Sequence, residues 1–219
     1  MSPENGGERS TPAERAVRRR VAALEEAAQS DVRALMEAGL ALMIAGDGRR
    51  GPRVADIVAA AGLSNDSFYR YFAGKDALVE AIVDQGARTV VGYVRHRIAA
   101  VRDPAEQLRV GVAAIMKQVS DADLATKTRA VLGNSTRMAQ GSPHVSVMLV
   151  DALAELFAAP AAGLGADEPE QVARTIAGTV FAAMQYYLFK EQVPGEDELE
   201  RLTAFLLAGV RASAGSPPR

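Results

Sequence analysis

The chain has 219 residues, 48% of them apolar and 24% charged, with a formal net charge of −2. That length can bury one or two cores, and the absence of cysteine excludes disulfides, thiolate metal sites and a cysteine nucleophile. No apolar run reaches bilayer-spanning length, and Met1–Glu8 lacks the basic and apolar segments of an export signal, so a cytoplasmic protein is expected.

In chain order, residues 1–12 are Pro-, Gly-, Ser- and Glu-rich and without periodicity, which predicts disorder. A basic helix is expected over Ala13–Ala28, carrying Arg15 and Arg18–Arg20 and only a narrow apolar stripe. Residues 1–29 therefore read as a flexible arm with an extra helix. A second helix is expected over Asp31–Ala45, with Val32, Leu35, Met36, Leu40 and Met43 buried. Gly46–Pro52 breaks it, and Pro52 suits the start of the next helix. Val54, Ile57, Val58 and Ala61 then fall at i, i+3, i+4 and i+7, one face of a short helix. Gly62 supplies a left-handed helix end, Leu63 is placed to fill the gap, and Ser64 is a good N-cap for a third helix. Phe68 and Phe72, four apart, anchor that helix. Its other face carries Asn65, Asp66, Ser67, Tyr69, Arg70 and Tyr71. Two short helices joined by a Gly-containing turn, the second with a polar face, form the plan that enters a DNA major groove. The same pattern also fits a helical corner with a solvated face.

Charge does little to separate those readings: residues 1–75 carry 11 Lys+Arg against 10 Asp+Glu, and residues 76–219 carry 14 against 17. A polyanion-binding surface would need local clusters, of which Arg18–Arg20, Arg49–Arg50, Arg53, Arg70 and Lys75 are candidates. Downstream, a long amphipathic helix is expected to about Ala100. Another starts at Asp103-Pro104, a weaker one spans about Asp121–Met138, and Gly141-Ser-Pro143 punctuates the chain. A helix built on Val145, Leu149, Leu153 and Phe157 follows, then a loop over Pro160–Gly165. Helices over Asp167–Gln192 and Glu196–Ala212 close the chain. The fold class is all-α, with about nine or ten helices. There is no GxSxG, HExxH or Walker loop, and the two histidines, His96 and His144, give no metal signature. No enzyme activity, metal or cofactor is expected. Tyr93, Met116, Met138, Met148, Phe157, Phe181 and Met184 read either as core or as the wall of a ligand cavity.

Three segments carry a resemblance: Val54-Ala-Asp-Ile-Val-Ala-Ala-Ala-Gly-Leu-Ser64, Ser67-Phe-Tyr-Arg-Tyr-Phe72 and Lys75-Asp-Ala-Leu78. Asp31–Leu78 resembles the TetR/AcrR family of bacterial transcriptional regulators. The resemblance implies an N-terminal three-helix helix-turn-helix DNA-binding domain over residues 30–75. It also implies a C-terminal helical domain for effector binding and dimerisation over 76–214; residues 215–219 read as a disordered tail. It implies double-stranded operator DNA and a small-molecule effector as partners, a homodimer and no membrane. The activity it implies is a repressor released by the effector; an architectural helix-turn-helix protein and an all-α enzyme are the alternatives. Carried onto this chain, Asn65, Asp66 and Ser67 would face base edges, with Ser64 beginning the recognition helix. Arg53, Tyr69, Tyr71 and Lys75 would serve the phosphates, and Arg70 would also contact DNA. Tyr71 stands where the family commonly has His, and Arg53 where it often has Thr. The last two helices would form the dimer interface, through Ile176, Val180, Ala183 and Tyr187 on one and Leu202, Phe205 and Leu206 on the other.

Overall fold

Thr11 opens the first helix with a capping box. The Glu14 N–H donates to the Thr11 hydroxyl at 3.2 Å, and the Thr11 N–H donates to Glu14 Oε2 at 2.8 Å. Pro12 takes the first helical position, where its missing N–H is not needed. In this computed structural model, which describes residues 11–46, 51–138 and 144–213, the helix then runs unbroken as α1, Pro12–Ala45. The two expected helices, Ala13–Ala28 and Asp31–Ala45, are one, because no proline interrupts them and the single strong cap lies at Thr11. The first half of α1 is exposed along its length.

Eight more helices follow among the described residues: α2 Val54–Ala61, α3 Asn65–Tyr71, α4 Lys75–Ala99, α5 Pro104–Ser120, α6 Ala122–Met138, α7 His144–Gly163, α8 Pro169–Lys190 and α9 Glu196–Ser213. Two boundaries differ from expectation. Pro52 does not start α2; it is buried one position before the N-cap Arg53. Pro160 lies inside α7, and the expected loop over Pro160–Gly165 shrinks to its end. A proline so close to a helix end removes one backbone donor, while Ala158, Ala159, Ala161 and Ala162 around it are the best helix formers. The expected punctuation at Gly141-Ser-Pro143 lies outside the described residues.

Burial divides the apolar residues into two clusters. The first joins Leu35 and Met43 of α1, Ile57 of α2, Phe68 of α3 and Leu78 of α4. The second joins residues of α4, α5, α7, α8 and α9, among them Ile115, Leu153, Phe157, Val180 and Leu188. Helix α4 belongs to both: Leu78, Val79, Ile82 and Val83 serve the first, Val94 and Ile98 the second. At Gly39, where α1 meets α4, an added Cβ would stand 2.9 Å from Leu78 Cδ2, so a larger residue there would push the Leu78 side chain aside.

Candidate nucleic-acid interface and adjoining cavity

The turn between α2 and α3 is set locally. Gly62 adopts φ 67°, ψ 27°, a left-handed conformation that costs other residues energy. The Leu63 N–H reaches back to the Val58 carbonyl at 2.9 Å, closing the helix end, and Leu63 packs against the first cluster. Ser64 then caps α3, its hydroxyl accepting from the Ser67 N–H at 3.1 Å. A helix of seven residues is not stable alone. Phe68, fully buried, and Phe72, nearly so, hold it, with ring centroids 5.7 Å apart.

Asn65, Asp66, Tyr69 and Arg70 are exposed, and none makes a side-chain hydrogen bond or ion pair among the described residues. Tyr69 is 59% exposed, while its ring meets Phe68 edge-on at 5.3 Å. Packing thus fixes the direction of its ring and leaves the hydroxyl outside. The Ser64 and Ser67 hydroxyls lie 3.1 Å from each other, engaged in the cap. Tyr71 departs from the expected outward role. It is half-buried, and its hydroxyl donates to Asp31 Oδ2 of α1 at 3.2 Å, tying the end of α3 to α1. Arg53 is the exposed N-cap of α2 and makes no capping bond with its side chain. Lys75 is exposed in the first turn of α4, after a Gly74 cap without a side chain. Both helix starts therefore keep free N–H groups beside a cation, although Asp56 and Asp76 follow in the same first turns.

Behind this surface lies a cavity of about 1080 Å³, bounded by α1, α4, α5, α6, α7 and α8. Of the residues expected to line it, Tyr93, Phe181 and Met184 do so. Met116 and Phe157 do not: both are fully buried packing residues, and Phe157 Cε1 would lie 2.6 Å from a Cβ on Gly111. Met148 is exposed and borders a separate, smaller groove with Arg88 and Arg95. The Met138 side chain lies outside the described residues. Sequence reasoning missed Met36, Leu40, Lys117, Gln118 and Thr128, and also Tyr71, which borders the cavity from the end of α3.

The family pattern described as bacterial regulatory proteins, tetR family, matches residues 35–82, which hold the turn and both of its helices. An uncharacterized HTH-type transcriptional regulator of Mycobacterium tuberculosis is 32% identical over 149 residues, covering 66% of this chain and 67% of that protein. This chain belongs to the TetR family. The TetR-family fold is also that of a transcriptional regulator from Pseudomonas aeruginosa PAO1, with a TM-score of 0.67 at 20% identity, covering 84% of this chain and 91% of the other. The fatty acid degradation regulator FadR from Bacillus halodurans shares it with a TM-score of 0.63 at 20% identity, over 82% and 96% of the two chains. As a TetR-family member, the protein is a DNA-binding transcriptional regulator.

The last two helices of this TetR-family chain are arranged differently from expectation. Ile176, Val180 and Leu206 are buried in the chain's own second cluster, and Ala183, Tyr187 and Leu202 pack against that cluster half-buried. Only Phe205 of the expected set projects outward, at 71% exposure. Tyr186 and Phe189 of α8, and Val193 just beyond it, are the other large exposed apolar residues of this region. Helix α9 packs on α5 more than on α8. Burial, followed by a hydrogen bond to Glu198 of α9 and that carboxylate's charge, raises the Tyr187 phenol above its ordinary value of 10.0. Among the described residues no helix is long and apolar enough to cross a membrane, and no group of acidic residues and histidines could hold a metal.

Proposed function

We propose that the protein is a homodimeric repressor that holds a pseudo-palindromic operator until a small molecule fills the cavity. The observation that carries this reading is Tyr71: at the end of the recognition helix, it bonds to α1 and also borders the cavity. A ligand pressing on Tyr71, or on the α1 and α4 walls, would act directly on the elements that aim α3. On this reading Asn65 and Asp66 meet base edges, since Asn pairs bidentately with adenine and Asp accepts from cytosine N4. Tyr69, Arg70, Arg53 and Lys75 meet phosphates, which fix register and supply the salt-dependent part of the affinity. A two-fold axis through the exposed faces of α8 and α9, where Tyr186 and Phe189 project from the one and Phe205 from the other, would present two recognition helices to a palindrome. The site of action is the bacterial cytoplasm, on the nucleoid when DNA is bound. Binding of the purified protein to DNA upstream of its own gene, followed across a salt series, tests the proposal. Preference over random duplex is the expected result, and failure to prefer that DNA at any salt refutes it. Tyr69→Ala should weaken all sites alike, whereas Asn65→Ala should change sequence preference.

A further inference from the structure

The cavity wall is mainly apolar. Met36 and Leu40 of α1, Ile115 of α5, and Phe181 and Met184 of α8 supply much of it. At the α5–α6 corner the chemistry changes. Gln118 is only 7% exposed and borders the cavity. The Thr128 hydroxyl donates to its Oε1 at 2.9 Å, which leaves the Nε2 N–H pair without an acceptor among the described residues. Buried side-chain donors in folded proteins nearly always have a partner, so an orphan on a residue that lines a cavity marks a place for an acceptor.

The neighbours of this pair in sequence are both cations. Lys117 precedes Gln118, Lys127 precedes Thr128, and both lysines border the cavity without an ion-pair partner among the described residues. The Lys117 ammonium stands 5.4 Å over the ring of Tyr93, another wall residue, and this holds the charge at the corner. Arg33 adds a third cation on the α1 side, against Glu37 as the one carboxylate among the lining residues. A ligand fitted to this lining is apolar along its body and accepts hydrogen bonds at a negative head.

We propose that the cavity takes an amphipathic monocarboxylate, its apolar body among Met36, Ile115, Phe181 and Met184 and its carboxylate at the corner made by Lys117, Gln118 and Lys127. The assignment rests on reading the cavity as the effector site. A carboxylate head suits one amide donor and two lysines, whereas an ammonium would face three cations and a single carboxylate.

The full-length protein is titrated calorimetrically with decanoate, 1-decanol, decylamine and acetate, each below its micelle concentration. Decanoate should bind about tenfold tighter than decanol, the ratio expected from two exposed charge pairs. Decylamine should bind weaker still, and acetate not detectably. The double variant Lys117→Gln/Lys127→Gln should bring decanoate down to the affinity of decanol while leaving decanol unchanged. Gln118→Glu, which replaces the donor with a negative oxygen, should weaken decanoate selectively. If Gln118→Glu fails to fold, the lysine pair, being exposed, still provides the comparison. The assignment is overturned if decanol or decylamine matches decanoate, if the lysine double variant keeps the preference, or if no probe binds. Operator release is measured separately. Decanoate that binds with the expected preference but leaves DNA affinity unchanged refutes the effector reading and upholds the ligand class. Release by decanol or decylamine but not by decanoate upholds the effector reading and refutes the class.

Discussion

Phe68→Ala tests whether the recognition helix is held by its buried anchor rather than by its own propensity. Phe68 is fully buried beside Leu35, Ile57 and Leu78 in the first cluster. Removing such a ring from a closed site costs about 3–5 kcal/mol, covering both lost transfer energy and the cavity left behind. Its pairing with Phe72, at 5.7 Å and 43°, adds up to about 1 kcal/mol. The pairing with Tyr69 adds less, because that ring is largely in water. With α3 limited to seven residues, nothing local replaces the lost packing. Amide exchange across α2 and α3 should therefore accelerate by a hundredfold or more, since about 3 kcal/mol already corresponds to that factor. The second cluster does not contain Phe68, and amides of α7 and α8 should keep most of their protection. DNA binding should fail although every exposed polar residue of α3 remains. Exchange in α2–α3 within threefold of the wild-type rate would refute the packing argument, as would unaltered DNA affinity.

Three more perturbations probe other parts of the molecule. Tyr71→Phe keeps the ring and removes only the bond to Asp31, so DNA affinity should change by less than about threefold while ligand-induced release is blunted; an unchanged release curve sinks the proposed role of that bond. Phe205→Glu puts a charge on the exposed face of α9 without disturbing the buried Leu206 and Leu207, and should yield folded monomers in sedimentation; an intact dimer refutes the interface. Tyr187 is held neutral above its ordinary 10.0, so what its protonated form contributes is complete below pH 10 and disappears as pH rises through the elevated value. Wild type should lose stability relative to Tyr187→Phe between pH 8 and pH 11 in denaturant titrations, and an equal difference at both pH values would contradict the cause assigned to the shift.

Local chemistry made much of this protein legible from its sequence. The left-handed Gly62, the Ser64 cap, and Asp103-Pro104 with the Asp103 carboxylate accepting from Glu106 N–H at 2.8 Å each act within a few residues, so helix ends there need no tertiary information. The 3.6-residue period likewise placed Leu35 and Ile57 on buried faces, and the four-residue spacing marked Phe68 and Phe72 as anchors, all in the first cluster. The boundaries that shifted are also local: the Thr11–Glu14 box extends α1 over 34 residues, and alanines carry α7 through Pro160. What periodicity could not supply is the identity of the neighbour that covers a given apolar face. Ile176 and Val180 turn out to be packed inside the chain while Tyr186 and Phe189, on the same helix, stay outside. Met36 borders a cavity and Met116 a closed core, although both sit on equally regular stripes. Tyr71 reaches Asp31 across 40 positions of sequence, and Gln118 keeps a free donor only because α5 and α6 meet where they do. The sequence by itself determined which segments are helices and where the turn falls. The tertiary structure alone decided which faces are covered, because burial depends on contacts between residues far apart along the chain.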